Sequence, residues 1–432
     1  MHLPDLTGIS FDPLVLRESI VKNEQLWAKR KLRGWSQDDL VRELVDLGIE
    51  LGERQLGVSA SQISRWEHGV TQPRAPYPKL LCQLFNATAE ELGLVSSSPS
   101  RTASTELLGQ VAGGLSRVPS GGVDGRFAEE TGWDPQALSH RAAAARVAHV
   151  HRSYQAAQYR EVAGWLPSLM ESVDALVAEG PQVGRRDALR LQSSVSIVAA
   201  KLATKVGDAS AAWSAAERAR VSALEADDPF GQAAAGYQLA CALLKSGRHK
   251  EAERVAVDAG EAITGADPQS LTWLGSLMLI RSIIAALGQN RSAAGQRLGH
   301  AQRLAEQLGA DTNIGWTAFG PTNVLIHRMS AAVALEEPQA VLAAAVQIDV
   351  SVIPSTLRGR QAQFHLDSAW AHFQLNEDPL AVIHLLDAER VAPQLVHSYH
   401  TARDLIQDLL AREHRGQVPG LRGLAQRAGV LA

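Results

Sequence analysis

The residues best suited to chemistry lie in the run Ser59-Ala60-Ser61-Gln62-Ile63-Ser64-Arg65-Trp66-Glu67-His68-Gly69. At helical spacing Ile63 and Trp66 face inward, which leaves Ser61, Gln62, Ser64 and Arg65 on exposed or flanking faces. An arginine can bridge guanine O6 and N7, and small polar residues can approach thymine or adenine edges. Basic residues and helix N-termini can hold phosphates and fix register. A second set consists of polar groups inside otherwise apolar patterns: Arg281, the pair Asn323 and His327, and Asp367. Asn323 and His327 are four apart and share a helix face. An arginine with such polar groups could grip a peptide backbone and a carboxylate.

Catalytic patterns are missing from the sequence. There is no G-x-x-x-x-G-K-[ST] loop, no G-x-S-x-G elbow and no H-E-x-x-H. His397 and His400 have a spacing that could serve a metal on a helix, but no clear third ligand accompanies them, so they are expected at the surface. The two cysteines, Cys82 and Cys241, sit apart in apolar patterns and suit buried thiols better than a disulfide. We therefore expect no enzyme, no metal and no cofactor.

The elements that must position these residues are helices. Gly34 stops a first helix (expected from about residue 16 to residue 32), whose end carries Lys29, Arg30, Lys31 and Arg33. Cations there suit the helix dipole and should be solvated. Leu26, Trp27 and Leu32 are expected among its apolar points. Ser36, with Asp39 three residues on, caps a second helix that opens on Gln37. Ser59 caps a third, with Gln62 as its capping-box partner, a structural use that competes with base contact. Leu80, Leu81, Leu84 and Phe85 mark a fourth helix, and Thr88-Ala89-Glu90-Glu91 opens a fifth.

This order of five short helices resembles the Xre-type repressor family over about 75 residues. The likeness rests on Arg33-Gly34-Trp35-Ser36-Gln37, Ile63-Ser64-Arg65-Trp66-Glu67-His68-Gly69, Pro73 and Glu91-Leu92. It implies that the third helix enters the major groove, with Ala60, Ser61 and Arg65 at base edges. Gln37 matches a phosphate-clamping position, and Arg74 lies where the following loop meets the backbone. The DNA-contacting set is then Gln37, Ala60, Ser61, Gln62, Ser64, Arg65 and Arg74. One departure is the connection 48–57, roughly ten residues longer than the family's tight turn.

Beyond residue 95 the composition changes. Residues 96–137 are rich in Ser, Pro and Gly and are expected to form a flexible linker, with a short helix around Glu106. From 138 to 412 the pattern is helical and repetitive. Turns at Gly207, Gly247 and Gly288 are 40 and 41 residues apart, and each is followed five residues later by Ala212, Ala252 or Ala293. Turns at residues 336–338 and 376–379 keep the rhythm, with Ala340 and Ala381. A glycine ends one helix in a left-handed cap, and a small residue lets the next helix pack closely. Such hairpins must stack to bury their apolar faces. Five or six are expected, with Trp165, Trp213, Trp273, Trp316 and Trp370 mostly as core wedges. Residues 413–432 are expected to be a tail.

The fold class is therefore all-α: a five-helix bundle over 19–95, a linker, and a tetratricopeptide-like α-solenoid. This layout also resembles the RRNPP group of bacterial peptide-pheromone regulators. That likeness implies a homodimer, double-stranded DNA with a palindromic operator as partner, and an inner surface for a peptide or small-molecule effector. The alternative is an interaction scaffold whose bundle binds protein instead of DNA. The net charge of −4 gives no global attraction to nucleic acid, so any DNA contact must be local. No signal peptide is read at the start. No apolar run reaches the roughly 18 residues of a membrane helix, and a cytoplasmic protein is expected.

Overall fold

The computed structural model describes residues 23–50, 58–68, 73, 77–85, 87, 92–94, 139–179, 184–398, 400–413 and 418–431. All regular structure among them is helical. They divide into two compact units, one within 17–101 and one within 102–432. The linker 96–137 and the short helix around Glu106 lie outside the described residues.

The first unit contains α1 (Glu24–Leu32), α2 (Gln37–Glu50), α3 (Ala60–Glu67) and α4 (Tyr77–Phe85). Leu26, Leu40, Leu44, Ile63, Leu80 and Leu81 form its core, closed by Trp66, Phe85 and Leu92. The local caps form as read. Asp39 Oδ2 accepts from the Ser36 N–H at 2.7 Å, and Ser36 Oγ accepts from the Asp39 N–H at 3.1 Å. Ser59 and Gln62 make the reciprocal box on α3. Three expectations fail. The helix α2 continues through Gly48, Ile49 and Glu50, so the start of the long connection is helical, and 51–57 lie outside the described residues. Trp27 and Leu32 are exposed, because α1 turns Leu26 inward instead. Arg30 is buried at 3% exposure, not solvated.

The second unit is an array of six hairpins: α5 (His140–Gln155) with α6 (Tyr159–Glu179), α7 (Arg185–Lys205) with α8 (Ala209–Glu225), α9 (Pro229–Lys245) with α10 (His249–Glu261), α11 (Pro268–Leu287) with α12 (Arg291–Leu308), α13 (Pro321–Ala334) with α14 (Pro338–Ala345), and α15 (Arg358–Gln374) with α16 (Asp378–Val391). Then come α17 (Pro393–Ser398), α18 (His400–Arg412) and α19 (Leu421–Arg427). Leu421, Leu424 and Ala425 are fully buried in the array's core, so 421–427 is a packed helix, not a tail.

The repeat rule is sharper than the glycines suggested. The residue in left-handed conformation at each hairpin turn is Ala157, Gly207, Gly247, Gln289, Glu336 or Asn376. Gly288 is not among them; its φ is −78°. At each turn the N–H one residue later returns to a carbonyl five positions back, as in Asp208 to Ala203 and Asn290 to Ala285 at 2.9 Å. This is the hydrogen bond of a Schellman cap. Five residues after each left-handed position stands a fully buried small or β-branched residue: Val162, Ala212, Ala252, Ala294, Val341 and Ala381. The expected Ala293 and Ala340 miss that place by one, because the turn is set by its left-handed residue and not by the glycine.

Apolarity alone marks α11 as long enough to cross a membrane, contrary to the expectation that no run would be. Of that window, 78% is buried inside the fold, as in a core helix. Trp273 and Trp370 are core residues, whereas Trp213 is 38% exposed. Both cysteines are free thiols, and burial raises the Cys241 pKa above its ordinary value.

Candidate functional site

In the bundle, the buried face of α3 is fixed by a charge clamp. Arg30 Nε donates to Glu67 Oε1 at 2.5 Å and Nη2 to Glu67 Oε2 at 2.8 Å. Arg30 Nη1 donates to the Trp35 carbonyl at 2.6 Å, and the Glu67 carbonyl accepts from the Asn23 N–H at 2.8 Å. One buried pair thus ties the end of α1, the α1–α2 turn and the last residue of α3 together. Gln37 joins it: its Nε2 donates to Glu67 Oε2 at 2.9 Å. Its amide is therefore oriented by the clamp.

The other face of α3 is open. Ser61 is exposed, and Ala60, Gln62, Ser64 and Arg65 are partly exposed. Gln62 is engaged in the cap, its Oε1 accepting from the Ser59 N–H at 3.0 Å. The Ser64 hydroxyl lies 3.3 Å from His68 Nδ1. Arg65 Nε is buried and makes no hydrogen bond within the protein. Arg74 lies outside the described residues.

In the array, the first helices of successive hairpins line a small cavity with about 10 Å³ of free space, roughly that of one water molecule. Tyr237 comes from α9, Trp273, Ser276 and Leu279 from α11, Asn323 and His327 from α13, and Arg360 from α15. The loop before α13 contributes Thr317. That loop is held in an unusual conformation, with positive φ at Gly315 (70°), Trp316 (44°) and Ala318 (49°). At Trp316 and Ala318 such backbone costs on the order of 1–3 kcal/mol per residue and persists only where the surroundings impose it. Here they do. Asn313 and Gln155 exchange amide hydrogen bonds at 3.0 Å in both directions, and Trp316 stacks on His151 with centroids 5.0 Å apart.

The pocket's surroundings are polar. The Asn323 amide nitrogen donates to the Thr317 carbonyl at 3.4 Å, while its Oδ1 is buried without a hydrogen bond, as is Trp273 Nε1. Burial, and then the charge of Arg360, hold the His327 pKa well below the ordinary histidine range. His327 is thus neutral near pH 7, with Nδ1 2.9 Å from the Asn323 carbonyl. Burial, then Arg360, also push down Lys201.

The structure therefore brings Asn323 and His327 together and separates the other two predicted ligand residues from the pocket lining. Gly320 caps α13 and Pro321 stands in its first turn. Arg281 pairs with Glu253 of α10 at 2.9 Å, and Arg297 reaches the same carboxylate at 2.9 Å. Asp367 is fully buried two turns beyond Arg360. Its Oδ2 accepts from Ser330 Oγ at 2.5 Å and its Oδ1 from Gln363 Nε2 at 3.1 Å. Sequence reasoning missed Arg360 and Trp273. Arg360 stands near the start of its helix, where the basic run Arg358-Gly359-Arg360 reads as solvated; its burial is a tertiary fact. His397 contacts Glu389 at 2.7 Å, and His400's side chain is outside the described residues. Among the described residues no group of three or more His, Cys, Asp or Glu is arranged to hold a metal.

Residues 30–94 match the family model of the SP15 N-terminal domain. The match spans the end of α1 and α2 to α4. The comparison with curated proteins found no match. Among solved structures, a Rap protein complexed with competence and sporulation factor aligns with 13% identity and a TM-score of 0.42, covering 87% of this chain and 98% of that chain. At that level the likeness carries no argument about function.

Proposed function

We propose that this protein is a sequence-specific DNA-binding transcriptional regulator of the Xre type, acting as a homodimer, whose helical repeat domain senses a ligand. In this reading it works on the nucleoid in the cytoplasm and catalyses nothing. The observation that carries it is the division of α3. Ile63, Trp66 and Glu67 are buried and locked by Arg30, while Ala60, Ser61, Ser64 and Arg65 stand on the open side. A short, capped, rigidly held helix with small polar residues at its N-terminal end and an arginine behind them suits insertion into the major groove. Paired copies would read two half-sites.

The test is a genome-wide DNA pull-down with the full-length protein, repeated at raised salt and with Arg65→Ala. The expected result is one enriched, palindromic motif that survives salt and weakens in the variant by about 1–3 kcal/mol, a factor of roughly 5 to 150. Uniform recovery that salt abolishes and Arg65→Ala leaves unchanged would mean phosphate attraction alone. The bundle would then be a protein-docking module and the chain a scaffold.

A further inference from the structure

The connection between α12 and α13 has a closed base and a tip clasped by a distant helix. At the base, the Phe319 carbonyl accepts from the Thr312 N–H at 2.9 Å, and Asp311 Oδ1 accepts from the Thr322 N–H at 3.1 Å. Phe319 is fully buried, its ring against Gly275 of α11. A compact loop whose ends meet is an Ω-loop, and its tip can move without unwinding the helices on either side.

The clasp comes from α5. Gln155, the last residue of that helix, stands 158 positions before Asn313, and the two side chains exchange amide hydrogen bonds at 3.0 Å. Gln155 Nε2 also reaches the Trp316 carbonyl at 3.2 Å. The Trp316 ring lies parallel to that of His151, at an interplanar angle of 5°. The first hairpin of the array is thereby tied to the connection between its fourth and fifth.

Two features of the closed tip favour opening. Trp316 and Ala318 hold positive φ, and release lets both return to ordinary backbone. Trp316 Nε1 and His151 Nδ1 are buried at the stack without a hydrogen bond. Native proteins leave few buried polar groups in that state, and in an open tip both atoms meet water. What opposes opening is the ring stack and a few neutral hydrogen bonds, each with a modest net effect.

We propose that residues 313–318 are a latch, which releases from α5 as a unit while the base at Thr312 and Phe319 stays closed. Closed, it ties the first hairpin to the entry of the fifth. Open, it frees the Gln155 amide and the His151 ring. It gives the sensing role proposed above a moving part, and release itself requires neither ligand nor DNA.

The experiment is native-state amide exchange of the full-length protein, read residue by residue against intrinsic rates. The Trp316 N–H, bonded to the Asn313 carbonyl, and the Ala318 N–H, bonded to Asn313 Oδ1, report the tip. The Thr312 N–H reports the base. Trp316 and Ala318 should exchange at least about tenfold faster than Thr312 and than amides within α11 and α13. Gln155→Ala lies outside the loop and removes three hydrogen bonds. It should speed the two tip amides roughly tenfold further and leave Thr312, α11 and α13 unchanged. Asn313→Asp keeps the acceptor for Ala318, loses the donor to Gln155, and should speed them about threefold to tenfold. If Gln155→Ala does not fold, Asn313→Asp decides. Tip amides that exchange together with Thr312 and the helices overturn the proposal, as does a folded variant that speeds the whole array equally or changes nothing. No DNA enters this measurement, so it fails separately from the pull-down.

Discussion

In the bundle, Arg30 and Glu67 are buried together, each supplying the other's charge and most of its hydrogen bonds. In the array, Trp273 Nε1 and Asn323 Oδ1 are buried beside a small cavity without a hydrogen bond. Both arrangements place polar groups where water is scarce. The matched pair holds helices at a set angle and asks nothing further of its surroundings. The two unsatisfied atoms in the array cost stability that a water or a ligand group bonded to them would restore. Buried polarity that closes on itself marks architecture, and buried polarity that does not marks a site.

The largest expected effect tests the closed half of this contrast. Glu67→Gln leaves the Arg30 charge buried without its counter-charge and should destabilise the bundle by about 3–5 kcal/mol. Amide exchange should accelerate across 23–94 and stay unchanged across 184–398. The paired change Arg30→Met with Glu67→Leu should recover most of the loss, since apolar replacement of a whole buried pair is often neutral.

Next comes acid, which should act on the array. Burial first, then the neighbouring charges of His365 and His372, push the His384 pKa from 6.5 down to about 4. Its Nδ1 lies 3.1 Å from His365 Nδ1, and its ring stacks on His372. Between those two values the unfolded chain binds the extra proton, so the contribution is complete above about 6.5 and is lost as pH falls toward about 4. His151 and His327, also depressed chiefly by burial, add the same sign. The array's Tm should therefore fall as neutral buffer is taken to mild acid, less steeply in His384→Asn. A flat profile would mean that these rings are open to protonation.

A smaller effect tests packing near the pocket. A Cβ on Gly275 would run into the ring of fully buried Phe319. Gly275→Ala should cost about 1–3 kcal/mol by overpacking, read as a lower array Tm. The smallest effect is expected at Arg281, whose partner Glu253 keeps Arg297. Arg281→Ala should cost less than about 1 kcal/mol, read as a small drop in the array Tm.

How much of this was legible depended on distance along the chain. The caps at Ser36 and Ser59 were readable because their partners are three residues away. The inward turn of Ile63 and Trp66 and the succession of hairpins followed from helical periodicity. Arg30 was misread because Glu67 stands 37 positions on. Arg281 was misread because a charged residue in an apolar run looks the same whether it faces a pocket or a neighbouring carboxylate. Asn323 and His327 were recognised as one face, but Arg360, from the next hairpin, was not.

The sequence by itself determined where helices start, where they turn, and that the hairpins must stack, because those choices rest on backbone hydrogen bonds and side chains within a few residues. Only the tertiary structure decided that Gln289 and not Gly288 takes the left-handed place, that residues 421–427 join the core, and that Trp273, Asn323 and Arg360 share a cavity. Each of these depends on which surfaces meet when helices pack, and local preference does not encode that meeting.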